Sequence, residues 1–323
     1  MNTDSSIQTS ETPVEGAAVL SHWGLIAVDG ADAASFLHSQ LTQDFALLGP
    51  AEARLAGLCS PKGRLMFSFV GWKESAERVL LALPREQLPA AQKRLSMFVL
   101  RAKAKLSDAT ATRQLLGLAG AAARDWLGER APAAVWGRHA DADTSIVRLP
   151  DAAGQPRYLW VQPADAGSAA EQALPALPLA SWQWLEVQSG VPTILPATME
   201  QFVPQMVNLE AVGGVSFKKG CYPGQEVVAR SQYRGTLKRR GFLLRAGVPA
   251  EPGQEIFHSA DPGQPAGLVA NAAAVPAGRG EPAWDLFAEL KLAAAEAGSL
   301  HLGSADGPPL TLLPLPYSLP TES

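Results

Sequence analysis

A short segment around Cys221 combines a thiol with cations, glycines and a carboxylate. It reads Lys218-Lys219-Gly220-Cys221-Tyr222-Pro223-Gly224-Gln225-Glu226-Val227-Val228-Ala229-Arg230. A thiol acts as a nucleophile or a metal ligand through its thiolate, and nearby cations or a helix N-terminus favour that form. Lys218 and Lys219 stand three and two residues before Cys221, so the sequence predicts a reactive thiol. The alternative is an exposed loop cysteine without a role.

The residues on either side of the thiol predict a tight turn that leads into a helix. Gly220 and Gly224 allow the backbone to bend sharply or to approach a ligand closely. Pro223 and Gly224 fit the two central positions of a type II turn. A helix is then expected over residues 225–230, with its N-terminus next to the thiol.

Positive charge is concentrated around the same segment. Residues 211–250 contain eight Lys and Arg residues and one acid, a net charge of +7 in a chain whose total is −4. A basic island on an acidic protein predicts a local anionic ligand rather than general adhesion to nucleic acid. The single acid, Glu226, stands four residues before Arg230. A surface ion pair is therefore the alternative to a functional role for either residue.

The sequence lacks the ligand patterns of common metal and nucleotide sites. It has no CxxC motif, and its two cysteines and five histidines are scattered. A stable zinc or cluster site takes three or four well-spaced ligands. We therefore expect no metal site built by this chain alone, although Cys221 could supply one ligand to a shared centre. Phosphate-binding glycine motifs and the GxSxG motif are also absent from the sequence.

Three tryptophans are candidates for binding a flat heteroaromatic ligand. Trp23 precedes the first predicted strand, and Trp182 and Trp184 stand together in Ser181-Trp-Gln-Trp-Leu-Glu. Rings such as pterins stack on indoles, and the indole N–H can orient them. For each tryptophan, packing in the core is the competing interpretation.

Length and composition indicate a globular protein with a substantial core. The chain has 323 residues, of which 47% are hydrophobic and 18% charged, and two or three domains are expected. Two cysteines do not form a disulfide framework and fit a reducing compartment. Residues 1–13 are polar and do not resemble a signal or transit peptide, and no apolar run is long enough for a membrane span. We therefore expect a cytoplasmic protein without a membrane partner.

Hydrophobic periodicity predicts strands and helices that mix without strict alternation. Strands are expected at 24–28, 55–59, 64–72, 79–83, 99–106, 145–149 and 157–162, and helices at 33–41, 87–98 and 121–127. Asp32 is expected to cap the first helix. This order favours an α+β fold over a doubly wound parallel sheet. After Arg240, short apolar runs separated by Pro-Gly and Asp-Gly turns predict a small all-β barrel.

Six segments together resemble the folate-binding YgfZ family, which is related to the T-protein of the glycine cleavage system, a tetrahydrofolate-dependent aminomethyltransferase. The segments are Leu37-His-Ser-Gln-Leu-Thr-Gln-Asp44, Cys59-Ser-Pro-Lys-Gly-Arg64, Trp182-Gln-Trp-Leu-Glu-Val-Gln-Ser-Gly190-Val-Pro192, Gln201-Phe-Val-Pro204-Gln-Met-Val-Asn208-Leu, Gly213-Gly-Val-Ser-Phe-Lys-Lys-Gly-Cys-Tyr-Pro-Gly-Gln-Glu226 and Pro314-Leu-Pro-Tyr-Ser-Leu319. The resemblance implies a three-domain cloverleaf with two interleaved, ferredoxin-like α+β subdomains and a C-terminal β-barrel. The boundaries that we predict are a disordered terminus at 1–14, a folate-binding body at 15–238 and the barrel at 239–323.

The resemblance also implies a site. Trp23 and Trp182 would line a pocket for tetrahydrofolate or a derivative, with Gly220 and Gly224 assigned to the same cofactor. Cys221 would be the functional thiol. The residues expected to support it are Lys219, Tyr222, Gln225, Glu226 and Arg230. The implied role is that of an accessory protein that helps to assemble or repair iron–sulfur enzymes, with an indirect effect on tRNA modification.

Two other functions stay open at the level of sequence. A folate-dependent one-carbon transferase would use the same scaffold, but this chain reads Leu83-Pro-Arg-Glu-Gln-Leu88 where the transferase carries an acid. Glu86 is not in an obviously equivalent position, and Cys221 replaces a second expected acid. Direct binding of tRNA by the basic island is disfavoured by the net charge of −4 and the absence of an RNA-binding motif.

Overall fold

The fold consists of two antiparallel sheets with flanking helices and a six-stranded barrel. It is described from a computed structural model, which covers residues 14–233 and 237–320. The strands are β1 Gly16–Val19, β2 Trp23–Asp29, β3 Ala53–Cys59, β4 Leu65–Ser75, β5 Arg78–Pro84, β6 Lys105–Asp108, β7 Arg113–Ala119, β8 Arg138–Asp141, β9 Thr144–Ala152, β10 Gln155–Pro163, β11 Arg239–Ala246, β12 Glu255–His258, β13 Gly267–Ala274, β14 Trp284–Lys291, β15 Leu300–Leu302 and β16 Pro309–Leu313. The helices are α1 Ala33–Gln40, α2 Leu88–Ser96, α3 Gly120–Leu127, α4 Ala169–Ala173, α5 Leu179–Gln188, α6 Gln225–Tyr233 and α7 Leu292–Glu296.

The two sheets share one topology but obtain their last strand differently. The first sheet has the order β3-β4-β5-β2-β6, and the second has the corresponding order β8-β9-β10-β7-β1. In the first sheet the edge strand β6 follows α2 along the chain, whereas in the second sheet the equivalent position is taken by β1 from the N-terminal end. The chain therefore starts in the second sheet, builds the first sheet and then returns, so the two α+β units are interleaved.

Alternation along the strands explains how the sheets pack. In β2, Leu25 and Ala27 belong to a core cluster shared by both sheets. Ile26 and Val28 point the other way, into a cluster with the buried residues of α1 and α2. The second sheet packs α3 and α4 on its own outer face. The period of two along each strand thus produces two inner faces that share one core and two outer faces covered by helices.

The barrel is closed in the order β11-β14-β13-β12-β15-β16 and is tied to the rest of the chain by buried polar contacts. Asn208 donates its amide to the carbonyl of Gly241 at 2.8 Å and accepts from the Gly241 N–H at 3.0 Å. The Tyr317 hydroxyl donates to the carbonyl of Gly190 at 2.7 Å. Trp184 in α5 donates its indole N–H to Asp285 of β14 at 2.7 Å.

Most of the elements predicted from the sequence are present, with boundaries that differ by a few residues. The strand predicted at 99–106 is wrong in its first part, because β6 begins at Lys105. Asp32 does stand at the N-cap position of α1, but its carboxylate accepts from the Lys103 N–H at 2.7 Å instead of capping the helix. Val14, which the prediction placed in the disordered terminus, is buried in the shared core; the rest of that terminus lies outside the described residues.

Candidate functional site

A cavity of about 790 Å³ lies where the two α+β units and the barrel meet. Its walls come from the start of β2, the end of β5, one face of α5, the loop at 191–195, and strands β13 and β14. A smaller chamber of about 40 Å³ continues inwards between the two sheets. Trp23, Glu186, Val191 and Thr193 line both spaces. We call the two together the central cavity; its larger space lies within the size range of small-molecule sites.

The carboxylate of Glu186 is the main polar feature of the central cavity. It accepts the indole N–H of Trp23 at 2.8 Å and that of Trp182 at 2.9 Å, both on the same oxygen. The other oxygen lies 3.0 Å from Nε2 of His22. Trp182 and Glu186 meet because they stand four residues apart on one face of α5. The carboxylate is therefore held in a fixed direction, as recognition of an oriented polar ligand requires.

Trp182 supports the cavity from behind and does not line it, contrary to the expectation from the resemblance. Its side chain is buried against β7, where a Cβ on Gly117 would lie 2.5 Å from the indole. The guanidinium of Arg157 lies 5.4 Å from the indole centroid on the inner side. Burial lowers the pKa of Arg157 to about 10, while the nearby carboxylate of Glu186 acts in the opposite direction. Arg157 thus stays charged at neutral pH and faces the inner chamber.

The outer part of the central cavity has its own polar groups. Arg85 and Glu86, directly after β5, line it together with Asn271 of the barrel. The Asn271 amide is fixed by two bonds to the backbone of Thr193, at 3.0 and 2.8 Å. Glu86 therefore lines the cavity, although the sequence does not place it in a position obviously equivalent to the acid of the transferase.

Residues 219–225 form the turn that carries Cys221, and we call this segment the thiol turn. The Gln225 N–H donates to the carbonyl of Tyr222 at 3.2 Å, and Gly224 has a φ of +79°. These features confirm the predicted type II turn, with α6 starting directly after it. A Cβ on Gly224 would lie 2.4 Å from the carbonyl oxygen of Ser60, so glycine is needed for close approach as well as for conformation.

The thiol turn is bound to the segment after α1. Lys219 donates its Nζ to the carbonyls of His38 and Leu41, the latter at 2.7 Å. The same ammonium lies 4.5 Å from the ring centroid of Tyr222. Burial lowers the pKa of Lys219 to about 8, and Asp44 and Cys221 oppose that shift. Lys219 is therefore buried and holds the turn in place through its hydrogen bonds. Cys221 is exposed and forms no disulfide.

The predicted basic island is partly neutralised in three dimensions. Arg239 pairs with Glu289, Arg240 with Glu210 and Arg245 with Asp285, all acids from outside residues 211–250. Within the island Arg230 pairs with Glu226, on the exposed face of α6. Arg234 lies outside the described residues. The count along the sequence therefore overstates the charge available to an anionic ligand.

The thiol turn and the central cavity are separate places in the fold. No residue from 219 to 225 lines either part of the cavity, so Gly220 and Gly224 do not lie in the pocket to which the resemblance assigned them. Strand β3 connects the two places: Leu55 lines the inner chamber, and Ser60, just past the end of the strand, contacts the thiol turn. The four steps along the strand from Leu55 to Cys59 span about 13 Å at about 3.3 Å per residue.

Sequence reasoning missed two important residues. Glu186 lies in the segment 182–192 that carries the family resemblance. Its spacing of four residues from Trp182 indicates that the two side chains meet on one helix face. His38 lies in the segment 37–44, which also carries the resemblance, but nothing in the linear sequence places it next to Gly220. In the structure, Nε2 of His38 lies 3.4 Å from where a Cβ of Gly220 would be.

Within residues 14–233 and 237–320, no group of three or more His, Cys, Asp or Glu side chains is arranged to hold a metal ion. The same part of the chain contains no helix that is both long and apolar enough to span a bilayer.

Comparison with solved structures defines the fold. The chain aligns with the glycine cleavage system aminomethyltransferase T from Bartonella henselae with a TM-score of 0.68, over 95% of this chain and 87% of the other. At 19% sequence identity, the likeness establishes the fold alone. The structure thus has the fold of aminomethyltransferase T, and the cloverleaf of two sheets and a barrel that the family resemblance implies is confirmed.

Sequence comparison defines the family. The chain is 36% identical to the tRNA-modifying protein YgfZ of Edwardsiella ictaluri over 72% of each chain. It is 29% identical to the protein of the same name from Enterobacter sp. strain 638, over 93% of this chain and 92% of the other. No family profile matches the chain. The protein belongs to the YgfZ family, whose curated members carry the name tRNA-modifying protein.

Proposed function

We propose that the protein binds a reduced folate in the central cavity and supports iron–sulfur enzymes through Cys221, with tRNA modification as an indirect readout. The observation that carries the folate assignment is the carboxylate of Glu186. It is fixed by two indole N–H groups and lines a largely apolar cavity of suitable size. The 2-amino-4-oxopyrimidine edge of a pterin presents N–H donors, and the Glu186 oxygen that faces His22 retains a lone pair to accept one of them.

The residues present fit such a ligand. Glu186 would accept from the pterin edge, and Trp23, which lines both parts of the cavity, would offer an indole surface to the ring. The charged groups at the outer part, Arg85 and Glu86, are available to the more polar end of a folate. When bound, a reduced folate would supply a one-carbon carrier; the chain's own residues bind and orient it.

Tryptophan fluorescence tests folate binding directly, because Trp23 lines the cavity. Titration of the wild-type protein with several reduced folates should give saturable quenching. Glu186→Gln, which keeps the shape and loses the negative charge, should weaken binding while Glu226→Gln, on the exposed face of α6, should not. A wild-type protein that shows no binding to any reduced folate would refute the assignment.

The accessory role is supported by the exposure of Cys221 and by the name of the family's curated members. A gene deletion should lower the activity of iron–sulfur enzymes under oxidative stress. Wild type and Cys59→Ala should restore that activity, and Cys221→Ala should not. Full restoration by Cys221→Ala would remove the thiol from the function.

One observation favours a second candidate, a folate-dependent one-carbon transferase. Glu86 places a carboxylate on the wall of the central cavity, in the segment where the sequence offered no obvious acid. Incubation with labelled one-carbon donors and tetrahydrofolate should give repeated turnover if this function holds, and Glu86→Gln should abolish it. Folate binding without product would exclude it.

A further inference from the structure

His38 forms an oriented pair with Asp44 next to the thiol turn. Nδ1 of His38 lies 2.9 Å from Oδ1 of Asp44, and both side chains are about four-fifths buried, with exposures of 21% and 18%. The opposite nitrogen, Nε2, faces Gly220, the residue that precedes Cys221. One end of the imidazole is thus fixed by a carboxylate, and the other end is directed at the segment that carries the exposed thiol.

Asp44 is itself held in place. Its Oδ1 accepts the Leu47 N–H at 2.9 Å, and its own N–H donates to the side chain of Gln43 at 2.8 Å. Burial alone would raise the pKa of the Asp44 carboxyl, but the Leu47 N–H and His38 together hold it below its ordinary value. An ionised Asp44 favours the imidazole tautomer with the proton on Nδ1, which leaves Nε2 free to accept one.

The thiol turn and the His38 segment are fastened to each other. The Lys219 ammonium binds the backbone carbonyls of His38 and Leu41. Thr42 accepts the Ser216 N–H at 2.9 Å with its carbonyl and donates its hydroxyl to the Gly214 carbonyl at 2.6 Å. These contacts fix the backbone of both segments, so His38 Nε2 is held beside Gly220, the residue next to Cys221.

We propose that His38, oriented by Asp44, is the general base that deprotonates Cys221. The proposal rests on the proposed function in taking Cys221 as the functional thiol, and it adds the base and the substrate class. A nucleophile, a base within reach and a third group that orients the base together form an activated-nucleophile site. The structure places this site on the surface, away from the central cavity.

The step is a simple proton transfer followed by sulfur exchange. The Cys221 proton moves to Nε2 of His38, which becomes an imidazolium paired with the Asp44 carboxylate. The thiolate attacks one sulfur of a disulfide, a new S–S bond forms, and the departing thiolate takes the proton back from His38. Because Cys221 is exposed and lines neither part of the cavity, the disulfide reaches it from solvent, outside the central cavity.

Other charges also act on the thiol. Lys219 from the turn interacts electrostatically with both Asp44 and Cys221, and Lys218 precedes it along the chain. Glu226 and Arg230, on the helix that follows, pair with each other. The buried Lys219 stabilises a negative charge at either group without removing a proton, so the His38 contribution has to be separated from it by experiment.

Alkylation with iodoacetamide measures the thiolate of the full-length protein. Cys59 is buried, and burial raises its pKa to about 12, so mass spectrometry should find the modification on Cys221. Rates are measured from pH 5.5 to 9.5 for wild type, His38→Asn, Asp44→Asn and His139→Asn. His139, on β8 of the second sheet, is the matched control.

At pH 7 we expect His38→Asn to slow alkylation roughly fivefold to tenfold, because the thiolate population falls when its base is removed. Asp44→Asn should slow it by a smaller factor, and His139→Asn should match wild type. At pH 9.5 all four rates should converge, since hydroxide then deprotonates the thiol. Equal rates at pH 7, or a loss in His38→Asn that is the same at every pH, would overturn the proposal.

A second arm tests the substrate class. The same four proteins are treated at pH 7 with an aromatic disulfide, 4,4′-dithiodipyridine, and their rates should rank as they do with iodoacetamide. A His38→Asn rate equal to that of wild type would overturn the assignment. Failure of the proposed function is distinguishable, because it would appear as restored iron–sulfur enzyme activity with Cys221→Ala while the alkylation rates still depend on His38.

Discussion

The central cavity and the thiol turn differ in how many parts of the fold form them and in how exposed their polar groups are. The cavity draws its walls from both α+β units and the barrel, and its carboxylate is fixed by side chains from β2 and α5. The thiol turn is bound to one unit, through the segment after α1 and the turn after β3, and its cysteine is exposed. A site of the first kind selects and orients a small molecule, whereas one of the second kind meets a partner.

Because the two sites are built independently, the proposed folate binding and the proposed thiol chemistry need not occur in one step. A ligand on Glu186 and the sulfur of Cys221 are separated by a strand of the first sheet, so communication between them has to pass through the protein. We therefore expect that a substitution in one site leaves the measured property of the other site unchanged. The following predictions test this independence.

The largest effect is expected from Glu186→Ala. This change removes the acceptor of two indole N–H groups and of the proposed pterin edge. Hydrogen bonds to a charged group are each worth about 1.5–3 kcal/mol, so folate affinity should fall at least about 100-fold. The rate of Cys221 alkylation at pH 7 should stay within twofold of wild type. A parallel fall in both measurements would mean that the sites are coupled.

The next effect is expected from Gly224→Ala. A left-handed residue with a Cβ 2.4 Å from the Ser60 carbonyl is strained, and we expect a loss of about 2–3 kcal/mol in the free energy of unfolding. Urea denaturation measures it. Gly247→Ala, where an added Cβ meets nothing within 4 Å, is the matched control. Folate affinity of the folded protein should not change; a large loss of affinity would contradict the separation of the two sites.

A smaller and pH-dependent effect is expected from Asp44→Asn. Because the folded-state pKa of Asp44 is depressed, its contribution to stability is present above the ordinary value near 3.8 and is lost as the pH falls through the folded-state value. The variant should be about 1–2 kcal/mol less stable than wild type at pH 7. The difference should shrink between pH 5 and pH 2 in urea titrations. A difference that does not depend on pH would assign the loss to packing.

The smallest effect is expected from Arg230→Ala. Its partner Glu226 is 85% exposed, and such i, i+4 pairs contribute about 0.3–0.5 kcal/mol. Stability, folate affinity and Cys221 alkylation should all remain close to wild type. A loss of cellular function in a variant that is silent in all three would show that this face of α6 contacts a partner.

Local features could be predicted from the sequence because they depend on neighbours along the chain. The turn at Pro223 and Gly224 follows from two residue types, and the pair between Glu226 and Arg230 follows from their spacing. The barrel was visible as apolar runs between turns. The resemblance supplied the cloverleaf.

Features that depend on distant contacts could not be predicted. The +7 count for residues 211–250 overstates the local charge, because Glu210, Asp285 and Glu289, which pair with three of the arginines, lie outside that window. Trp182 was expected to face a ligand, but the space above Gly117 that receives its ring is invisible in the sequence. The contact of His38 with Gly220 joins residues 182 positions apart.

The exchange of an edge strand between the two units has a consequence for the order of events on the ribosome. Strand β1 is synthesised before the other described strands, yet its partner β7 ends at Ala119, and the carbonyl of Pro175 accepts the Ala17 N–H. The first sheet, from β2 to β6, can complete its pairing as soon as Asp108 has emerged. Non-local pairing of this kind is slow and leaves an edge unprotected while it waits. A nascent chain stalled so that residues up to Thr112 have emerged from the ribosome should therefore contain a protease-resistant first unit and a still-cleavable strand β1.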